Sequence, residues 1–142
     1  MDDHRTVLRG VVKAALSGDT RIGSFDFKPA WHRSVNIKTA PVYTVHIPVD
    51  RSELSSQTTR EWQTQIDVIV KRVSGNNIED LTELDVEAIE RAVIPALLAL
   101  DDLITADTVG VDFEYSGEGA SLVAQMTVRF QTVVCADIPT GA

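Results

Sequence analysis

Two long runs of alternating apolar and polar residues dominate the chain, one from Thr59 to Val73 and one from Ala120 to Cys135. A period of two is typical of a β-strand that packs one face on a core and turns the other to solvent. The apolar positions are Trp62, Ile66, Val68 and Val70 in the first run and Leu122, Met126, Val128 and Phe130 in the second. The pattern predicts two long, half-buried strands.

The length of these strands bears on function. Each can reach about 50 Å at roughly 3.3 Å per residue, whereas a covering helix of about sixteen residues spans only about 24 Å. A small domain has too little helix to cover that much strand, so we expect neighbouring copies to complete the cover. The pattern therefore favours a structural, self-assembling protein.

Helical spacing of apolar residues predicts a first helix from Asp3 to Ser17, with Asp2 or Asp3 as its N-cap. It predicts a second helix from Asp80 to Leu103, which Pro95 should kink or restart because proline lacks the backbone N–H. Between these helices, the alternating residues from Pro41 to Pro48 predict a strand bounded by prolines, and 49–57 predicts a polar loop. A last short strand is predicted over 108–115, joined to the second long run by a hairpin turn.

The order helix, strand, long strand, helix, strand, long strand predicts an α+β fold. We expect a mostly antiparallel four-stranded sheet with two helices packed on one face, in a single domain spanning 1–142. Residues 19–39 lack a clear period and predict a long irregular arm, with a short strand near 33–37. Residues 136–142 predict a flexible tail.

Composition narrows the functional classes. Of the 142 residues, 13 are Lys or Arg and 21 are Asp or Glu, which gives a net charge of −8 and disfavours tight binding of nucleic acid. No apolar stretch is long enough to span a bilayer, and the N-terminus lacks a signal-peptide pattern, so we expect a soluble, cytosolic product with no membrane contact. The single cysteine excludes an intrachain disulfide.

The residues that could perform chemistry are dispersed. His4, His32 and His46 fall in three separate predicted elements, and no nucleophile elbow or paired metal-ligand spacing is present. The carboxylates near the start of the second helix complement the helix dipole. We expect no catalytic, metal or cofactor site and no enzymatic activity. The aromatic residues of the arm, Phe27 and Trp31, either fill the core or anchor a partner.

The combined pattern is similar to the tail terminator proteins of long-tailed bacteriophages. The similarity rests on the Thr6 to Leu16 helix, the strand PVYTVHIP at 41–48, the strand EWQTQIDVIV at 61–70, the helix from Val86 to Leu100 and the strand AQMTVRF at 124–130. It covers about Thr6 to Val134 and does not include the arm around Phe25 to Ile37.

This resemblance implies a structural virion protein of the tail or neck, assembled in the host cytoplasm. Such subunits form a ring, commonly a hexamer, that caps the tail tube, ends tube polymerisation and joins the tail to the head connector. The implied partners are further copies of the chain, the tail tube protein and the head-tail connector protein, with DNA only as passing cargo. The candidate contact residues are Arg51, Glu53, Arg60, Glu61, Gln63, Gln65, Arg129, Gln131, Trp31 and Phe27.

Other functions remain open from the sequence. A related neck or head-completion subunit fits the same layout. A small-ligand binding module requires an apolar pocket between helices and sheet, and a hydrolase requires a clustered site, for which Asp85 and His46 are the residues to replace.

Overall fold

The computed structural model describes residues 3–28, 41–74, 77–116 and 122–137. It is an α+β fold, as the element order predicts. The elements are α1 (His4–Gly18), a 3-10 helix (Ile22–Ser24), β1 (Asp26–Phe27), β2 (Val42–Leu54), β3 (Thr59–Ser74), α2 (Ile78–Leu98), β4 (Leu103–Ser116) and β5 (Leu122–Asp137).

The sheet has five strands in the order β1-β2-β3-β5-β4. All pairs are antiparallel except β1 with β2, which run parallel. The prediction of four antiparallel strands was therefore wrong in detail, because β1 contains only two residues and is too short to show a period in the sequence. The sheet is mixed.

The two long predicted strands are confirmed. β3 and β5 contain 16 residues each and pair along their whole length, from Thr59 opposite Asp137 to Ser74 opposite Leu122. Their apolar faces align pair by pair and are buried at the centre of the molecule. The pairs are Ile66 with Phe130, Val68 with Val128, and Val70 with Met126.

Both helices pack on the same face of this sheet and contribute to one core. α1 begins where the Asp3 carboxylate accepts a hydrogen bond from the Arg5 amide, which confirms Asp3 as the N-cap. The buried positions recur at helical spacing, Leu8, Val12 and Leu16 in α1 and Ile89, Val93 and Leu97 in α2. Packing on one face leaves the opposite face of the sheet without a helix among the described residues.

Three element boundaries differ from the prediction. β2 does not end at Pro48 but continues to Leu54, so most of the predicted polar loop is strand. Ile47 and Pro48 together face Ile66, which makes a β-bulge where a proline is tolerated. α2 ends at Leu98, with Pro95 in its last turn, and the chain enters β4 at Leu103.

The predicted irregular arm is ordered over its first ten residues. Ile22 of the 3-10 helix is fully buried and Phe25 joins the core, while the next two residues form β1. The predicted short strand at 33–37 lies outside the described residues, as do the rest of the arm and the tail from residue 138. β5 includes the first two residues of the predicted tail.

Candidate functional site

The sheet face opposite the helices, which we term the open face, gathers most of the predicted contact residues. Strand alternation and register put seven of them on this face, and in particular Gln65 of β3 lies opposite Gln131 of β5. The seven are Arg51, Glu53, Glu61, Gln63, Gln65, Arg129 and Gln131. Seven of the predicted residues therefore share one surface that crosses three strands, with Val49, Val133 and Cys135 between them.

The other three predicted contact residues are not part of the open face. Arg60 lies one position out of phase with Glu61, so its side chain projects from the helix-bearing side of the sheet. Phe27 packs edge-on against Tyr43, with centroids 5.3 Å apart, and Lys13 of α1 lies 4.2 Å above its ring. Trp31 lies outside the described residues.

A charge cluster occupies the middle of the open face. The side chain of Asp67 is only 9% exposed, and its carboxylate accepts a hydrogen bond from the side-chain amide of Gln65 at 3.1 Å. The Arg129 Nε atom lies 4.0 Å and the His46 Nε2 atom 3.9 Å from Asp67. Arg129 also binds Asp112 of β4. The cluster links four neighbouring strands and offers polar groups to a partner.

The β2–β3 hairpin extends beyond the helices. We call residues 51–60 the hairpin tip; Arg51 to Thr58 are exposed throughout, and Leu54 is 65% exposed. The turn is held by the Ser56 hydroxyl, which accepts hydrogen bonds from the Thr58 and Thr59 amides at 3.2 and 3.1 Å. The tip is thus the hydrogen-bonded end of a hairpin rather than the polar loop predicted from the sequence.

The base of this hairpin is fixed to the start of α1. His4 stacks on Trp62 with ring centroids 4.6 Å apart, and its Nε2 lies 2.9 Å from a carboxylate oxygen of Asp50. The other oxygen of Asp50 accepts a hydrogen bond from the Thr64 hydroxyl at 2.7 Å. These contacts join α1 to both strands of the hairpin and set the direction in which the tip projects.

Ion pairs strengthen the contact between the start of α1 and the base of the hairpin. The Asp3 carboxylate accepts hydrogen bonds from the Arg5 guanidinium and amide, and these bonds hold the pKa of Asp3 well below its usual range. The same contact raises the pKa of Arg5 further above its ordinary value. Arg5 Nε also lies 3.6 Å from Asp50. The helix start and the hairpin base therefore share one ion-paired network.

Asp85, which the sequence named as a residue to test for hydrolysis, is fully buried in an ion-pair network. One oxygen accepts from Arg21 Nε at 2.7 Å and the other from Arg72 Nε at 2.9 Å. Arg72 in turn lies 5.0 Å above the Phe25 ring. This network joins α2, β3 and the segment before β1, and it accounts for Asp85 as a structural residue.

No group of three or more His, Cys, Asp or Glu side chains in the described part of the chain is arranged to hold a metal ion. His4 and His46 lie on different elements and each faces a carboxylate, while His32 is outside the described residues. Within the described ranges, no helix is long and apolar enough to cross a membrane.

Sequence reasoning missed two features that the structure shows. One is the Asp85 network, in which Asp85 pairs with Arg21 and Arg72; the signal in the sequence was that each arginine directly precedes an apolar residue, Ile22 or Val73. The other is the outer edge of the sheet, where β4 exposes Ile104, Val109, Phe113 and Tyr115 by 41 to 58%. Exposed apolar side chains that cluster on one edge are typical of a protein contact.

A scan against protein-family models matches none, and a search of curated proteins finds no match to this chain.

Proposed function

We propose that this protein is the subunit of a ring, of six copies in the simplest case, that caps a bacteriophage tail tube. The ring ends tube polymerisation and joins the tail to the head connector. The proposal takes its class of assembly from the resemblance in sequence pattern and its contact surfaces from the geometry described above.

The observation that carries the proposal is the mismatch between sheet and helices. β3 and β5 each contain 16 residues, equivalent to about 53 Å of strand, whereas the 15 residues of α1 span about 22 Å and the 21 residues of α2 about 32 Å. The surplus strand is exposed in the hairpin tip and along β4 rather than covered by the chain itself. A ring of identical copies covers such surplus without any other component.

In this proposal the hairpin tip and the polar part of the open face contact the tail tube. The tip is exposed, ordered by its own hydroxyl bonds, and fixed at its base to α1, so it can present a defined surface without folding on binding. The net charge of −8 repels the phosphates of DNA in transit through the ring.

Two measurements test the proposal. Light scattering and electron microscopy of the purified protein should give a mass several times that of the 15.5 kDa chain and a closed ring. Adding these rings to polymerising tail tube protein should stop tube growth, with rings visible at tube ends. Rings that bind the head connector but leave tube growth unchanged would move the protein to the neck. A chain that stays monomeric both alone and with tube protein would refute the proposal.

A further inference from the structure

The outer edge of the sheet carries a strongly acidic surface. We define the acidic flank as the exposed side of β4 and of α2, which lies along β4: Thr82 of α2 reaches Tyr115, and Glu90 accepts a hydrogen bond from Thr108 at 3.1 Å. Its carboxylates are Glu79, Glu83, Glu87, Glu90, Asp101, Asp102, Asp107, Asp112 and Glu114. From Ile78 to Ser116 the only basic residue is Arg91.

The opposite edge carries a row of basic side chains on α1. α1 lies over β1 and β2, and its residues Arg5, Arg9 and Lys13 recur at intervals of four on the side that faces this edge. We define the basic flank as these three residues together with Lys28. Carboxylates also lie at this edge: Asp3 and Asp50 bind Arg5 and His4, Asp19 accepts from two amides, and Asp26 is exposed. The positive charge of the flank therefore comes mainly from Arg9 and Lys13, which are exposed on α1.

The β4 edge is unsuited to simple addition of another strand. Ile104 and Val109 each sit at a register shift, where β4 has one residue more than β5. Such bulges interrupt the row of edge hydrogen-bonding groups and turn these two side chains outward, where they are 51% and 58% exposed. A partner at this edge would therefore contact side chains, namely Ile104, Val109 and the neighbouring carboxylates, rather than pair with the backbone of β4.

The geometry points to a second copy of this chain as the occupant of the acidic flank. We infer that the basic flank of one copy packs on the acidic flank of the next, with Ile104 and Val109 against Phe27, Val49 and the aliphatic stems of Arg9 and Lys13. Val49 is 39% exposed and Phe27 is half-buried at that edge. Because the two flanks lie on opposite edges of one sheet, the contact is head-to-tail and can close a ring. This inference rests on the proposed ring and specifies its subunit contact.

Charge reversal on either flank tests the contact. Arg9→Glu with Lys13→Glu reverses the basic flank, and Glu83→Lys with Asp107→Lys reverses the acidic flank; all four side chains are exposed, so the fold should persist. Each double variant alone should need at least about tenfold more protein to assemble, because like charges then face each other. An equimolar mixture of the two should regain rings, since the reversed flanks are again complementary.

The matched control is Arg60→Glu with Lys71→Glu, which changes the net charge as much as the basic-flank variant; both residues lie on β3, outside both flanks. It should assemble like the wild type. Circular dichroism and thermal unfolding confirm that each variant folds, and light scattering gives the mass.

The outcomes separate this contact from the proposed function. Rings that survive both flank variants, or variants that fail to assemble even when mixed, overturn the contact and leave the ring in place. Rings that form through the contact but do not stop tube growth overturn the proposed function alone. A wild-type chain that is monomeric at low salt and high concentration, and also in the presence of tube protein, overturns both.

Discussion

At the scale of single residues, Asp85 shows how a carboxylate that resembles a catalytic candidate can be structural. It is fully buried and takes hydrogen bonds from two arginines that are 29% and 13% exposed. Removing Asp85 leaves the guanidinium groups of Arg21 and Arg72 without their buried counter-ion. The resulting loss of stability is larger than the net stabilisation that the intact ion pairs contribute. We therefore expect replacement of Asp85 to change the stability of the fold.

We predict that Asp85→Ala lowers the free energy of unfolding by about 3 kcal/mol or more. Urea denaturation followed by circular dichroism measures this change. Glu83→Ala, an exposed change on the same helix, is the control and should shift stability by less than about 0.5 kcal/mol. An Asp85→Ala protein as stable as the control would show that the arginines find other partners.

The N-cap of α1 makes a prediction about pH. Asp3→Ala should cost about 1 kcal/mol at neutral pH, because it removes the acceptor for the Arg5 amide. The pKa of Asp3 is lowered from its ordinary 3.8 by the hydrogen bonds from Arg5, so the folded state favours the carboxylate. The stabilisation is therefore complete above about pH 4 and is lost as the pH falls below it.

The measurement is the difference in unfolding free energy between wild type and Asp3→Ala at a series of pH values from 7 down to about 2.5. The difference should shrink only at the acidic end. Asp101→Ala, which removes an exposed carboxylate outside the helices, should show no such trend. A difference that stays constant across the series would mean that the helix start does not depend on the charge of Asp3.

At the scale of elements, the sequence predicted those strands whose faces differ in polarity. β3 and β5 were placed to within two residues at each end, since one face is core and the other polar. The outer half of β2 was missed because both of its faces are exposed beyond the helices, and a strand that is polar on both sides resembles a loop. The register then placed Arg60 out of phase with its predicted companions.

The hairpin tip should be dispensable for folding. Replacing Leu54 to Arg60 by Asn-Gly joins Glu53 to Glu61, which lie opposite each other, through a two-residue turn of the kind that hairpins favour. The removed residues are mostly exposed, so the melting temperature should change little. Under the proposed function, the shortened protein should form rings that no longer stop tube growth.

The control for this deletion is a variant that keeps the tip length but changes its loop, Gln57→Ala, which should cap tubes normally. Electron microscopy of tube lengths with each ring gives the readout. If the shortened rings cap tubes as well as the wild type does, the tip is not the tube contact, and the open face becomes the surface to test by Gln65→Ala and Gln131→Ala.

At the scale of the whole molecule, the distribution of charge matters more than its sum. A net charge of −8 alone predicts mutual repulsion between copies. Residues 3–28 carry Arg5, Arg9, Lys13, Arg21 and Lys28 against three aspartates, whereas the stretch from Ile78 to Ser116 is almost entirely acidic. Sequence alone could not reveal this polarity, because only the sheet order places the two segments at opposite edges.

Salt should separate an electrostatic contact from a hydrophobic one. Raising sodium chloride from about 0.05 to about 1 M shortens the screening length from more than 10 Å to about 3 Å, so attraction between exposed flanks weakens. We predict that rings dissociate as sodium chloride rises, as measured by light scattering at constant protein concentration. Sucrose at equal osmolarity is the control, because it leaves charge screening unchanged and should preserve the rings. Rings that grow more stable in salt would indicate that Ile104 and Val109, rather than the charged flanks, supply most of the contact energy, since burial of apolar surface does not weaken when charges are screened.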